Sequence, residues 1–307
     1  MQTSMALLMI GFLGACTDNT VDPPRIQTVA DVVTANSDFS ILRDALEYAG
    51  LTGDLRQGNL TVLAPNNAAF QASGFADAAA VRALPTSTVK SVLLYHVLGF
   101  RIPASAFTVD KNVVIPSLQG GNVYISKLAA SSGVSVNNAR ITKTDIQAEN
   151  GVIHVIDRVM MPPTRNLLEI AQGNPNLTYL VAAATRAATS NPAVVSSLTS
   201  TSSAFTVFAP TNEAFIAAGF PSIASIQAAP AETLAAVILN HVLPGRAFSP
   251  TLATGNVAAA GGGQLAVDVS SGVTVKGKGS TQAAKVLMAD MLATNGVVHV
   301  IDRVLLP

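Results

Sequence analysis

The chain's 307 residues suffice for one large domain or two of ordinary size. It is 49% apolar and 12% charged, which excludes a disordered chain and permits a sizeable core. Formal net charge is zero, no basic run occurs, aromatics are 5% and Trp is absent, so nucleic acid is not an expected partner and no base-stacking platform is expected.

At the N-terminus Met5 to Leu13 reads "MALLMIGFL", followed by "GAC". That is short of the roughly 20 residues a membrane-spanning helix needs and suits the apolar region of an export signal. Leu13-Gly14-Ala15-Cys16 resembles the bacterial lipobox, whose cysteine is acylated and becomes the mature N-terminus. On this reading residues 1–16 are an export signal with a lipobox, Cys16 is the lipidation site, and 17–25 form a polar tether. No Lys or Arg precedes the apolar stretch, and a buried or incidental cysteine is the alternative. Cys16 is the one cysteine of the chain, so no intrachain disulfide can form.

Beyond the tether, Phe39, Leu42, Leu46 and Ala49 recur at helical spacing behind Ser37-Asp38, a cap candidate. Leu60–Ala64 is a short apolar strand that Pro65 ends, with Asn66 placed to cap a helix carrying Phe70. Val89, Val92, Leu93 and His96 fall at i, i+3, i+4 and i+7, a further helix. The segments "NVVIPSL", "GNVYIS" and "SVNNARITKTDI" read as strands. "NGVIHVIDRV", Asn150–Val159, is β-branched and apolar on both faces, as a strand buried from both sides should be. "MMPPTR", Met160–Arg165, marks a boundary, Pro162 and Pro163 ending that strand.

The same elements then recur. "TVFAPTNEAF" answers "TVLAPNNAAF", and "NGVVHVIDRV" answers the earlier decapeptide with one difference, Ile153 against Val298. Pro65 and Pro210, His96 and His241, Asp145 and Asp290, His154 and His299 are each 145 positions apart, which implies loops of equal total length in both copies. Upstream the offset falls to 138, from Asp38 to Asn176, placing about seven extra residues in "TSNPAVVSSLTSTSS", read as a surface loop. The copies are assigned to 26–163 and 164–307, joined so closely that the two domains should touch. Helices come first and strands later in each copy, so the class is α+β with a mainly β core.

Three ordered blocks carry a resemblance. "TVLAPNNAAF", with Pro65, Asn67 and Phe70, the pair Tyr95-His96, and "NGVIHVIDRVMMP", with His154 and Asp157, resemble the signature regions of a fasciclin domain. The second copy matches with Pro210, Asn212, Phe215, Asn240-His241, His299 and Asp302. The resemblance covers nearly everything after residue 26. It implies two tandem fasciclin-like domains, each a twisted β-sandwich or wedge flanked by helices, in an extracellular or surface-anchored protein associated with adhesion. It points to Tyr95 and His96, within Leu93–Phe107, as candidate binding residues, with Asn240 and His241, within Ile238–Phe248, as counterparts. Asn240 stands where the family pattern often has Tyr, a departure that sets the second copy apart.

All four histidines of the chain lie in the repeat. His96 and His241 sit on the apolar stripe of a helix and His154 and His299 inside an apolar strand, positions that suit neutral core residues with both ring nitrogens hydrogen bonded. No HExxH, no His pair at i, i+4 and no His/Asp cluster supports a metal. Asp157 and Asp302 are expected to accept backbone or side-chain hydrogen bonds, and Asp145 and Asp290 to cap a turn before the last strand. "GVTVKGK", Gly272–Lys278, begins like a phosphate-binding loop but continues with Gly279 and no helix, and "AAAGGGQ", Ala258–Gln264, reads as a hairpin turn.

The resulting expectation is a non-catalytic surface lipoprotein, exported and held at the outer membrane or cell surface, possibly facing the periplasm. It would need no cofactor and no metal. Its partners would be a surface or matrix protein or a glycan, with the membrane reached through the acyl anchor. A carrier of a small apolar ligand or glycan is the alternative and requires a pocket within or between domains. A hydrolase or metalloenzyme would require His96 and His154 to converge with a carboxylate in an open cleft.

Overall fold

Two copies of one plan, each a layer of helices on a seven-stranded sheet, make up the residues this computed structural model describes: 27–56, 58–128 and 133–307. In the first copy α1 (Val29–Ala35) and α2 (Ser40–Ala49) lead to β1 (Leu60–Pro65). Helices α3 (Asn67–Ala72), α4 (Ala78–Arg82) and α5 (Thr86–Tyr95) follow. Then come β2 (Val97–Leu98), β3 (Asp110–Pro116), β4 (Asn122–Lys127), β5 (Val134–Val136), β6 (Ala139–Ala148) and β7 (Gly151–Ile156). The second copy opens with α6 (Leu167–Gln172), α7 (Thr178–Ala188), α8 (Ala193–Thr199) and β8 (Phe205–Pro210). It continues with α9 (Asn212–Ala217), α10 (Ile223–Ala228), α11 (Ala231–Asn240), β9 (Val242–Pro244) and β10 (Gly255–Ala258). Strands β11 (Gln264–Asp268), β12 (Thr274–Gly277), β13 (Ala284–Ala293) and β14 (Gly296–Ile301) complete it. The class is α+β.

The repeated decapeptide supplies β7 and β14. Each lies between a parallel neighbour, β1 or β8, and an antiparallel one, β6 or β13. All six residues of β7 are buried, and so are all six of β14. Alternation along β1 divides the interior into two cores. Val62 and Ala64 face the helices with Ile153 and Val155, whereas Leu63 faces the other way, with Leu98, Val123 and Ile156. Each such buried aliphatic side chain contributes about 1.5–3 kcal/mol. Gly151 and Gly296 open these strands because the Leu60 and Phe205 carbonyls lie where a Cβ would project.

Five expectations need correction. Ser37-Asp38 does not cap α2: Asn36 caps a 3-10 turn, Ser37–Phe39, and α2 starts at Ser40 without a cap of its own. The prolines of "MMPPTR" do not end the strand, since β7 stops at Ile156, where Asp157 turns to pair with Arg140. The Ser/Thr-rich insertion is not a loop but contains α8, because Val194 and Leu198 lie one helical turn apart and bury their side chains, at 1% and 7% exposure. The offset of 145 conceals compensating differences: Val114 pairs with Tyr124 as Asn256 pairs with Ala266, an offset of 142. The longer β12–β13 connection restores it. Asp145 and Asp290 do not cap a turn; they sit inside β6 and β13 at register shifts, with φ 58° and 63°. "GVTVKGK" lies largely on β12, and "AAAGGGQ" forms the β10–β11 turn.

Candidate functional site

The conserved-looking polar letters of the repeat resolve into caps and braces. Asn67, just after β1, reaches back to the uncapped start of α2: its Oδ1 accepts from the Ile41 amide at 3.1 Å and its Nδ2 donates to the Ser37 carbonyl at 3.0 Å. Asn212 does the same for α7 through the Tyr179 amide and the Pro175 carbonyl, both at 3.0 Å. Pro65 and Pro210 end their strands beside these asparagines, and Phe70 and Phe215 drive α3 and α9 into the helix-side cores. Asp157 and Asp302 each accept one backbone amide, from Arg140 and Lys285, at 2.7 Å. They stitch the end of the central strand to its neighbour.

The histidines are braces as well. His96 follows α5, donating from Nδ1 to the Val92 carbonyl at 2.7 Å and accepting at Nε2 from the Met160 amide at 3.0 Å. His241 repeats this with Val237 and Leu305, at 2.7 and 2.8 Å. Burial lowers the pKa of both to about 4, so both are neutral at pH 7. His154 donates from Nε2 to the Ile102 carbonyl at 2.8 Å and accepts at Nδ1 from the Asp145 amide at 3.2 Å. His299 makes the same pair of bonds with Ala247 and Asp290.

The second copy brings Ser249, Asp290 and His299 together. The Ser249 hydroxyl donates to Asp290 Oδ2, and Asp290 Oδ1 lies 4.0 Å from His299 Nδ1. This is not a nucleophile–base pair: the serine faces the carboxylate, and both imidazole nitrogens are taken by the backbone. Burial holds the His299 pKa below its ordinary value, with the Asp290 charge opposing in part. The first copy has Ala104 in place of Ser249, its amide donating to Asp145 at 2.9 Å, so the shared feature is the carboxylate clasp on that loop. His96 and His154 bind different loops and are 2% and 0% exposed, so they do not line an open cleft. Among the described residues no group of three or more His, Cys, Asp or Glu could hold a metal.

The candidate binding residues are buried, which corrects the expectation that they contact a partner. Tyr95 is 0% exposed, its hydroxyl donating to the Asn122 carbonyl at 2.6 Å and accepting from Asn137 at 3.1 Å; burial raises its pKa to about 12. Asn240 is 1% exposed and ties α11 to the Leu305 carbonyl at 3.1 Å, while its Oδ1 has no protein partner. What Leu93–Phe107 does expose is Gly99, Phe100, Pro103, Ser105 and Ala106. Cys16 and residues 1–25 lie outside the described residues.

Sequence reasoning missed several braces. Thr61 and Thr206, first letters of the repeated block, fix the next loop: Thr61 donates to the Phe100 carbonyl and Thr206 to Gly245. Asn150 and Asn295, first letters of the decapeptide, accept from Val29 and Leu167 and so dock the first helix of each copy. Repetition itself was the available signal. The cavities lined by the helix-side cores hold about 20 Å³ each, room for a single water. A cleft of about 260 Å³ between Asn138 and Met161 on one side and Arg165, Asp290 and Met291 on the other lies at the domain junction.

The family model of the fasciclin domain matches residues 37–162 and again 178–307. The chain belongs to the fasciclin-domain family. Relatives include the transforming growth factor-beta-induced protein ig-h3 of Sus scrofa, 37% identical over 147 residues, 48% of this chain and 21% of that protein. The cell surface glycolipoprotein MPB83 of Mycobacterium bovis is 31% identical over 144 residues, covering 45% of this chain and 61% of its own. This fasciclin chain thus spans about a fifth of the ig-h3 length. A solved FAS1 domain pair from the insect cell adhesion molecule Fasciclin I is 17% identical with a TM-score of 0.42, covering 91% of this chain and 96% of that one. No helix among the described residues is long and apolar enough to cross a membrane.

Proposed function

We propose that this fasciclin protein is a non-catalytic binding protein of the cell surface that engages a matrix protein, a glycan or a neighbouring cell through exposed faces of its domains. One observation carries the reading. The polar residues of the signature blocks are spent on bracing the fold, while Phe100, Val109, Val113, Val114 and Leu118 remain 37% to 61% exposed along one stretch of the first domain. Phe100 and Leu118 come together where a loop meets the β3–β4 turn, and an exposed apolar pair of this kind is a candidate contact. The Leu118 side chain lies 3.3 Å from where a Cβ on Gly99 would project, so the loop carrying Phe100 and the β3–β4 turn adjoin. MPB83, by its name a cell-surface glycolipoprotein, supports the location.

The test is binding of residues 27–307 to immobilised glycans and matrix proteins, with the Phe100→Ser variant and a heat-unfolded sample as controls. Saturable binding weakened by Phe100→Ser is the expected result; a flat panel from folded protein would overturn the reading. The anchor belongs to the same proposal: Cys16 carries acyl chains that hold the protein at a membrane. Labelling cells with a clickable fatty acid should mark the full chain and leave Cys16→Ser unmarked. Equal labelling of both would refute it.

A further inference from the structure

Each copy carries a corresponding tripeptide after its short edge strand, Arg101-Ile102-Pro103 and Arg246-Ala247-Phe248, and the two have been put to different uses. Arg101 turns back on its own domain, donating to Gln147 Oε1 at 3.1 Å and to the Gly151 carbonyl at 2.8 Å, and Pro103 is exposed. Arg246 keeps a single such bond, to the Thr294 carbonyl at 2.7 Å. Its guanidinium lies over the Tyr124 ring of the first domain, 4.5 Å from the centroid. Phe248 packs on the same ring at 6.0 Å between centroids. Asn112, in β3 with φ 56°, donates from Nδ2 to the Arg246 carbonyl at 2.6 Å.

Burial shows what the contact does. Phe248 is 0% exposed although its counterpart Pro103 faces solvent. Tyr124 is 9% exposed although its counterpart Ala266 is open. We propose that Tyr124 and Asn112 form a socket, and Arg246 and Phe248 a plug, in a dedicated joint that holds the two domains in one orientation. A flat aromatic ring packed by a guanidinium and a second ring is desolvated and directional, so it resists both sliding and rotation.

The joint runs one way. The register of β10 on β11 places Thr254 and Ala266 where the first domain has Asn112 and Tyr124, so the second domain has no such socket. The first domain, with Pro103, has no such plug. Unlike surfaces thus meet head to tail, and the joint does not depend on what the chain binds. It also leaves the two copies of the loop unequal: Phe248 is covered by the first domain, whereas its counterpart Pro103 stays open.

Distance measurements between spin labels test this on the full chain with Cys16→Ser and the labelling pair Gln71→Cys and Gln227→Cys. The joint predicts one narrow distribution. Adding Tyr124→Ala, or Asn112→Gly, which keeps the backbone turn but removes the donor, should widen it about two-fold or more, since tandem domains move independently unless an interface holds them. Circular dichroism of each variant would show both domains folded. A broad distribution in the parent chain would overturn the joint, and a narrow one in every variant would overturn its assignment to these residues.

Discussion

Asn67 and Asn212 each cap a helix that does not begin with a capping side chain of its own. Asn67→Ala should lower the stability of the first domain by about 1–2 kcal/mol in urea titrations, and Asn212→Ala that of the second. The histidines give the residue scale a pH dependence. An unfolded histidine takes up its proton near pH 6.5, while folded His96 and His241 do so only near pH 4. Between those values the unfolded chain binds more protons, so stability is full above pH 6.5 and falls as the pH drops toward 4. The loss is roughly 3 kcal/mol per histidine. Urea midpoints at pH 7.5, 5.5 and 4.5 should decrease in that order, and His96→Gln should flatten part of the slope in the first domain. That these histidines are neutral core residues was legible from their place on apolar stripes. Their backbone partners were not, because Met160 and Leu305 lie 64 residues along the chain from them.

Helix α8 shows how an element is hidden by its composition. Seven residues rich in Ser and Val read as a loop, yet Val194 and Leu198 pack into the second core beside Leu180 and Ile238. Leu198→Ala should cost roughly 2–5 kcal/mol of second-domain stability, whereas Ser196→Ala, on the exposed side, should be neutral or gain about 0.5 kcal/mol. Guanidinium unfolding followed by circular dichroism distinguishes the two. The central strands were legible for the opposite reason: a β-branched run broken only by one histidine has few alternatives to burial on both faces. The bulges at Asp145 and Asp290 were not, since a positive φ in a strand arises from the loop that the carboxylate clasps, and that loop is remote in sequence.

At the scale of the molecule the two domains keep separate cores, and a small cluster of Tyr124, Phe248 and Val297 spans them. Phe215→Ala, at 0% exposure, should therefore cost roughly 3–5 kcal/mol in the second domain alone. Scanning calorimetry should then resolve two transitions, the first domain melting near its original temperature. A single transition shifted as a whole would instead mean that the domains unfold as one unit. The duplication, the succession of helices then strands and the family were determined by the sequence, because repeated short-range patterns need no knowledge of distance. Which letters of the repeat are braces and which face solvent was decided by the tertiary structure. Tyr95 looks like a surface recognition residue until the strands that cover it are in place, and Phe248 is buried because the neighbouring domain packs against it. Burial depends on what the fold brings alongside, and spacing along the chain does not encode that.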